Sequence, residues 1–387
     1  MPYPIEPAVN SGAVPDLFLP PGGGRRVTEP ADWPAAAARW RALIVEREYG
    51  GLPPAPEAVE IETLCHSRVR RWEGAPLLFS YRVHCLGGER PITLGVRILA
   101  PDVPEPVPAI MAGDGCWWYC PDEVAQAIVR RGCALVTFNR TEMAEDRATA
   151  LRARSFPDGE PPDDARGWRC GGLYDVYPGR QFGALAAWAW GYHRCVDLLC
   201  SLPFIDASRL AVTGHSRGGK TALLAGATDD RITLVNDNAG GCGGSALFRY
   251  VGEGGETLSI VKAIATWFGA DNELAAFIGR EGELPFDQHA LLAAVAPRPL
   301  LLTYALDDRW SNPEGMVLSA RAAGTVYDWL GRRDALAFHL RPGGHTHSSE
   351  DWDTLLDFID WQWRGQAPVR DFNRHPYAHL DGHGRAL

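Results

Sequence analysis

The run Gly214-His215-Ser216-Arg217-Gly218 sets a serine between glycines in the order G-x-S-x-G. Glycines at 214, 218 and 219 remove the side chains that would collide in a tight turn. A β-like run, Leu210-Ala211-Val212, stands directly before the pentapeptide, and Lys220 to Ala227 reads as helical directly after it. A strand, a tight turn and a helix in that order force the serine into a strained, exposed position. The helix start also brings N–H groups without intrahelical partners beside it. Such a serine can attack a carbonyl, provided that a base takes its proton and a carboxylate orients the base. A glycine-rich β-to-α turn with no catalytic duty is the plain alternative.

Candidates for base and acid follow later in the chain. Leu300 to Tyr304 is a short apolar run, with Asp307, Asp308 and Trp310 just beyond it. Leu336 to Leu340 is another, followed by Gly343, Gly344 and His345. Serine, then acid, then histidine, each past the end of a strand, is the chain order of the α/β-hydrolase fold. The carboxyl ends of strands are also where open α/β sheets place their sites. Any one of these residues alone would read as a solvated loop residue. Together they read as Ser216, Asp308 and His345 acting as a unit.

The elements that must position them can be read from the same pattern. Residues 1–30 form an extended arm, with Pro15, Pro20, Pro21 and Gly22 to Gly24 opposing regular structure. The remainder, 31–387, reads as one catalytic domain. A helix is expected over Trp33 to Tyr49, stopped by Gly50-Gly51-Leu52-Pro53-Pro54. Strands are expected at Leu77 to Cys85 and Ile92 to Leu99, with Gly87-Gly88 as the turn. From Pro108 buried strands alternate with helices: Ala109 to Ala112, Asp122 to Arg131, Cys133 to Phe138, then Gly183 to Cys200 and Arg209 to Thr213. Further strands are expected at Ile232 to Val235, Leu300 to Tyr304 and Leu336 to Leu340, with a last helix at Trp352 to Trp363. Residues 141–182 are polar, irregular and long for a loop, which suits an insertion covering a pocket. This alternation specifies an α/β protein with a mostly parallel central sheet and helices on both faces.

Composition excludes several other functions. Over 387 residues, 38 Lys+Arg against 48 Asp+Glu leave a charge of −10, with no basic cluster to attract nucleic acid. No apolar run approaches the ~18–20 residues that span a bilayer. The nine cysteines are scattered, and a chain this long needs no disulfide framework, so free thiols are expected. His345-Thr346-His347 has no matching Cys or His pair elsewhere, so neither a metal nor a cofactor is expected. Among 14 tryptophans, Trp188 and Trp190 sit in an apolar helix and suit the core, while Trp117 and Trp118 suit either the core or a pocket wall. Met1-Pro-Tyr-Pro-Ile-Glu lacks the basic-then-apolar pattern of an export signal, which predicts a cytoplasmic protein.

Several segments resemble the glucuronoyl esterases of carbohydrate esterase family 15. They are Val136-Thr-Phe-Asn139, Gly183-Ala-Leu-Ala-Ala-Trp-Ala-Trp-Gly191, Val212-Thr-Gly-His-Ser-Arg-Gly-Gly-Lys220 and Cys242-Gly-Gly-Ser-Ala246. Leu284-Pro-Phe-Asp-Gln-His289, Ala296-Pro-Arg-Pro299 and Asp308-Arg-Trp-Ser-Asn-Pro313 extend the likeness over about residues 105–365. The resemblance implies hydrolysis of an ester of glucuronic acid, with a small-molecule or oligosaccharide substrate. It further implies Ser216 as nucleophile, Arg217 as a side-chain oxyanion donor, Lys220 and Glu256 as sugar contacts and Trp310 beside the sugar ring. An acetylesterase acting on sugar acetates, or a non-catalytic sugar-binding relative, are the alternatives.

This chain departs from the fungal pattern in places. The fungal triad glutamate would fall near Ala239, so the acid is expected at Asp308, as in some bacterial relatives, with Asp237 as runner-up. Ile264 stands where fungal members place a second uronate contact, and His215 stands where they have a disulfide cysteine. His345 follows two glycines as in bacterial relatives, but His347 lies where fungal members place their base; His345 is preferred and His347 stays open.

Overall fold

Short apolar runs alternating with helices are what the chain forms from Val107 onward. The computed structural model describes residues 8–116, 120–146, 169–270 and 272–385. In chain order the strands are β1 (Val9–Asn10), β2 (Ala58–Arg68), β3 (Leu77–Leu86), β4 (Ile92–Ala100), β5 (Val107–Ala112), β6 (Ala134–Phe138), β7 (Ile205–His215), β8 (Leu234–Asn238), β9 (Tyr250–Val251), β10 (Leu300–Ala305) and β11 (Leu336–Arg341). The α-helices of six residues or more are α1 (Trp33–Tyr49), α2 (Asp122–Arg130), α3 (Ala184–Ser201), α4 (Arg217–Thr228), α5 (Gln288–Ala293), α6 (Pro313–Trp329) and α7 (Ser349–Arg364). The chain divides into two compact units. One is Met1–Ile44, Ala207–Ile260 and Leu274–Leu387; the other is Val45–Asp206 and Val261–Glu273.

The first unit carries every candidate site residue. Four of its strands run parallel in the order β7-β8-β10-β11. Side chains alternate along β8, so Val235 and Asp237 share one face and Asn236 and Asn238 the other. The helix α4 covers the first face so closely that a methyl group on Gly226 would lie 2.2 Å from Val235. On the opposite face Asn238 meets His215, which lies against His347, which stacks on Trp352 of α7. Helices therefore cover both faces.

The strand β8 continues three polar residues past Val235, where the apolar run ends, and all three are buried. The two asparagines are accommodated because their partners stand on neighbouring strands. Thr213 Oγ1 donates to Asn236 Oδ1 at 2.7 Å, and the amides of Asn236 and Asn238 both donate to Thr303 Oγ1. Each buried amide so paired avoids a desolvation penalty of about 1–3 kcal/mol. Two helices absent from the expected set, α5 and α6, complete this unit. Asn312 caps α6 by accepting from Gly315 N at 3.0 Å, and Pro313 occupies its first position. The N-terminal arm is more than extended chain: β1 pairs with β9, Leu17 is buried, and His289 donates to the Pro15 carbonyl at 2.9 Å.

In the second unit β5 and β6 are parallel, and β4, β3 and β2 follow in antiparallel order. The sequence reading missed β2: almost every residue of this edge strand is exposed, so the short Val59-Glu-Ile61-Glu alternation buries no apolar face. Trp188 and Trp190 are core residues of α3, their indole N–H groups donating to the carbonyls of Ala144 and Pro54. Trp117 and Trp118, and residues 147–168 of the expected insertion, lie outside the described residues. Among the described residues no helix is long and apolar enough to cross a membrane, and none of the nine cysteines is joined in a disulfide.

Candidate active site

Ser216 sits between β7 and α4 with φ +58° and ψ −120°, a backbone conformation costly for any residue with a side chain. The turn is tight enough that a methyl group on Gly214 would lie 2.3 Å from the Gly218 carbonyl oxygen. Its amide donates to Asn238 O at 2.8 Å, which fixes the turn against the end of β8. Strain at a residue so held is a mark of pre-organisation.

Asp308 lies past the end of β10 and is 4% exposed. His345 Nδ1 is 2.6 Å from Asp308 Oδ2, and Ser311 Oγ donates to the same oxygen at 2.5 Å. Burial alone would raise the Asp308 carboxyl. The hydrogen bond and charge of His345, with Ser311, nevertheless hold it below the usual carboxylate range. An ionised Asp308 only accepts, so His345 carries its proton on Nδ1 and keeps the Nε2 lone pair for a nucleophile.

The loops bearing the two residues are laced together. Asp307 N donates to Gly343 O and Gly343 N donates to Asp307 Oδ2, each at 3.0 Å. His215, the neighbour of Ser216, lies with its ring centroid 4.5 Å from that of His345. Asn238 fixes the tautomer of His215. Its amide nitrogen faces the Thr303 carbonyl, which can only accept, so its oxygen must take the proton of His215 Nδ1 at 2.6 Å. The elbow serine and the Asp308–His345 pair are thus brought to adjacent positions. Among the described residues no hydrogen bond joins Ser216 Oγ to His345, a separation common before substrate tightens such contacts.

Beside them Lys220 and Glu256 form a buried ion pair, 2.7 Å from Nζ to Oε2. Lys220 also donates to the carbonyls of Gly240, at 2.6 Å, and Cys242. The Glu256 amide donates to the Trp310 carbonyl at 2.8 Å, tying that residue to the turn that follows Asp308. Burial raises the Glu256 carboxyl against the pull of Lys220, His345 and the Cys242 backbone N–H. Among the described residues no group of three or more His, Cys, Asp or Glu is arranged to hold a metal ion.

Comparison with known proteins bears on what this arrangement is. The sequence model of the fungal glucuronyl esterases matches residues 83–331. The chain belongs to the glucuronoyl esterase family. It is 30% identical over 365 residues to 4-O-methyl-glucuronoyl methylesterase 1 of Wolfiporia cocos, covering 91% of this chain and 80% of that protein. Carbohydrate esterase MZ0003, from an unknown prokaryotic organism, is 38% identical over 203 residues, covering 48% of this chain. That match spans about half of the relative, 46% of its length. A family 15 glucuronoyl esterase from Caldicellulosiruptor kristjansonii superposes with TM-score 0.75 at 30% identity, covering 98% of this chain and 96% of that one. This glucuronoyl esterase relative is a carboxylic-ester hydrolase with the α/β-hydrolase fold.

Within the esterase, the two open alternatives occupy different places from the Asp308–His345 pair. His347 stacks on Trp352 with ring centroids 4.5 Å apart, and it is His345 that meets Asp308. Asp237 lies on the α4 face of β8, where methyl groups on Gly219 and Gly240 would come within 2.3 Å and 2.2 Å of its oxygens. Lys220, which the resemblance implies as a sugar contact, is held by groups of the protein itself. Its three ammonium protons already meet three acceptors within the protein, so donation to a sugar would require breaking one of these bonds. Ser311 and Arg341, whose guanidinium donates to the carbonyls of Gly344 and Thr346, were not singled out by sequence; only the position of Ser311 in the Asp308-to-Pro313 motif could have flagged it.

Burial raises Asp237 to about 6, against the pull of Ser245, Lys220 and the N–H groups of Gly240 and Ser245. A carboxyl raised on folding binds more protons in the native state between its unfolded value and about 6, so stability falls as pH rises through that window. Asp237→Asn escapes this titration. Relative to wild type it should gain on the order of 2–3 kcal/mol between about pH 4 and pH 8. Thermal melts of both proteins across that range check it; a constant difference would show that Asp237 titrates normally.

Proposed function

We propose that this esterase hydrolyses esters of the glucuronic acid carboxyl group, using Ser216 as nucleophile, His345 as base and Asp308 as the orienting acid. The observation that carries the reading is the 2.6 Å Asp308–His345 pair set beside the strained serine. The names of the relatives, glucuronoyl esterases and a 4-O-methyl-glucuronoyl methylesterase among them, support the uronate as the acyl group. Ser216 Oγ attacks the ester carbonyl while its proton passes to His345 Nε2. The imidazolium, stabilised by Asp308, returns that proton to the departing alcohol and leaves an acyl-enzyme. Water, deprotonated by His345, then attacks the acyl carbon; the proton returns to Ser216 as the uronic acid leaves.

Glu256 supplies an acceptor for sugar hydroxyls, with Lys220 holding it in place, and Trp310 offers an apolar face to the ring. Hydrolysis of benzyl glucuronate set against 4-nitrophenyl acetate tests the reading. Preference for the acetate would transfer the enzyme to the sugar acetylesterases, and inactivity on both, without labelling of Ser216 by a fluorophosphonate, would leave a sugar-binding protein.

Arg217 opens α4 directly after the nucleophile and is half-buried. Its backbone N–H is one oxyanion donor. Its guanidinium is a second, stronger because a charge-assisted hydrogen bond gains as the oxygen becomes anionic. Arg217→Ala is therefore expected to lower kcat by roughly 10²–10³ with KM changed much less. A rise in KM alone would make Arg217 a uniform substrate contact.

A further inference from the structure

One buried guanidinium grips the loop that carries His345. Arg341 ends β11 and is 5% exposed. Its Nη2 donates to the carbonyls of Gly344 and Thr346, at 3.3 and 2.6 Å, and to Thr346 Oγ1 at 3.0 Å, while Nη1 donates to Pro342 O at 2.9 Å. The backbone on both sides of His345 is thus tied to a single planar group. Its remaining donor, Nε, meets Asp351 Oδ2 at 2.8 Å. That carboxylate also accepts from the amide and hydroxyl of Ser348, closing the capping box that starts α7.

The loop needs such an anchor. Gly343, at φ +96°, and Gly344 give it two residues without side chains to hold its path. Glycine backbones have the most conformational freedom to lose. A base displaced by about 1 Å from its nucleophile loses on the order of 10²-fold in rate.

We infer that Arg341 is a positioning residue of this active site, its fork of Nη donors fixing the loop so that His345 faces both Asp308 and Ser216. The inference rests on the Ser216–His345–Asp308 reading. Lysine cannot replace it, because an ammonium lacks the planar, divergent donors that reach carbonyls at 342, 344 and 346 together. A purely structural Arg341 would serve only to neutralise Asp351 and cap α7. The two roles use different nitrogens and so can be separated.

The test compares Arg341→Lys, Asp351→Asn and Ser216→Ala on benzyl glucuronate, with fluorophosphonate labelling of Ser216 and thermal melts alongside. Arg341→Lys should lose roughly 10²-fold in kcat with KM within about threefold, and its labelling rate should fall in parallel. Asp351→Asn, which leaves the Nη bonds in place, should melt lower yet keep kcat within about threefold of wild type, since its change lies outside the loop. Wild-type kcat in Arg341→Lys, or an equal loss of kcat in Asp351→Asn, overturns the inference. Should Arg341→Lys not fold, Arg341→Gln is read by the same criteria. If Ser216→Ala also turns over substrate, the triad reading has failed; if it is dead while Arg341→Lys is fully active, only the clamp has failed.

Discussion

Ser216→Ala is expected to reduce kcat on a glucuronate ester by on the order of 10⁶, with KM nearly unchanged. Removing the nucleophile abolishes the covalent route, and the slow remainder comes from binding and oxyanion donors alone. The variant should fold as wild type does. Alanine is smaller than serine, the elbow is shaped by Gly214 and Gly218, and the Ser216 amide bond to Asn238 O involves no side chain. Steady-state hydrolysis and fluorophosphonate labelling of folded protein check the result. Activity above about 1% of wild type, far more than a lost triad member leaves, would falsify the assignment of the nucleophile.

Asp308→Asn is expected to lower kcat by on the order of 10⁴. An asparagine can turn its amide nitrogen toward His345 Nδ1, which then must accept, and the proton moves to Nε2, where it faces the nucleophile. Loss of the carboxylate also removes the charge that stabilises the imidazolium. Asp237→Asn, by contrast, should keep kcat within about tenfold of wild type, because Asp237 packs beneath α4 and the Gly240 loop and lies outside the triad. Measured side by side, a larger loss in Asp237→Asn would exchange the roles of the two carboxylates.

The parts of the site legible in the sequence are those set by local chemistry. The elbow could be read because a strand, three glycines and a helix lie within a few residues of Ser216, and each acts through its own backbone preference. Helix α1 could be bounded to Tyr49 because Gly50, Gly51 and two prolines cannot continue it. The chain order of Ser216, Asp308 and His345 was visible because each follows a short apolar run that makes a strand.

Other features were hidden because their causes lie far along the chain. Asn236, Asp237 and Asn238 lie past the strand expected at Ile232 to Val235, yet they form the buried second half of β8. Their amides are paired with residues 23 and 65 positions away, across β7 and β10. The surroundings of Lys220 were hidden as well, because its neighbours in sequence say nothing of Gly240, Cys242 or Glu256, which surround it in the fold.

The residue types of the triad, their order and the turn that strains the serine were determined by the sequence itself, since turn and helix-start preferences act between neighbouring residues. Which carboxylate meets which imidazole was decided only by tertiary structure. Asp237 and Asp308 are equally acidic in isolation, as His345 and His347 are equally basic. Strand alternation turns Asp237 toward α4, while the linked loops after β10 and β11 bring Asp308 Oδ2 to His345 Nδ1 and leave His347 against Trp352. A hydrogen bond forms only within about 3 Å and near its donor axis, and that geometry is set by which strands pair and which face each side chain takes.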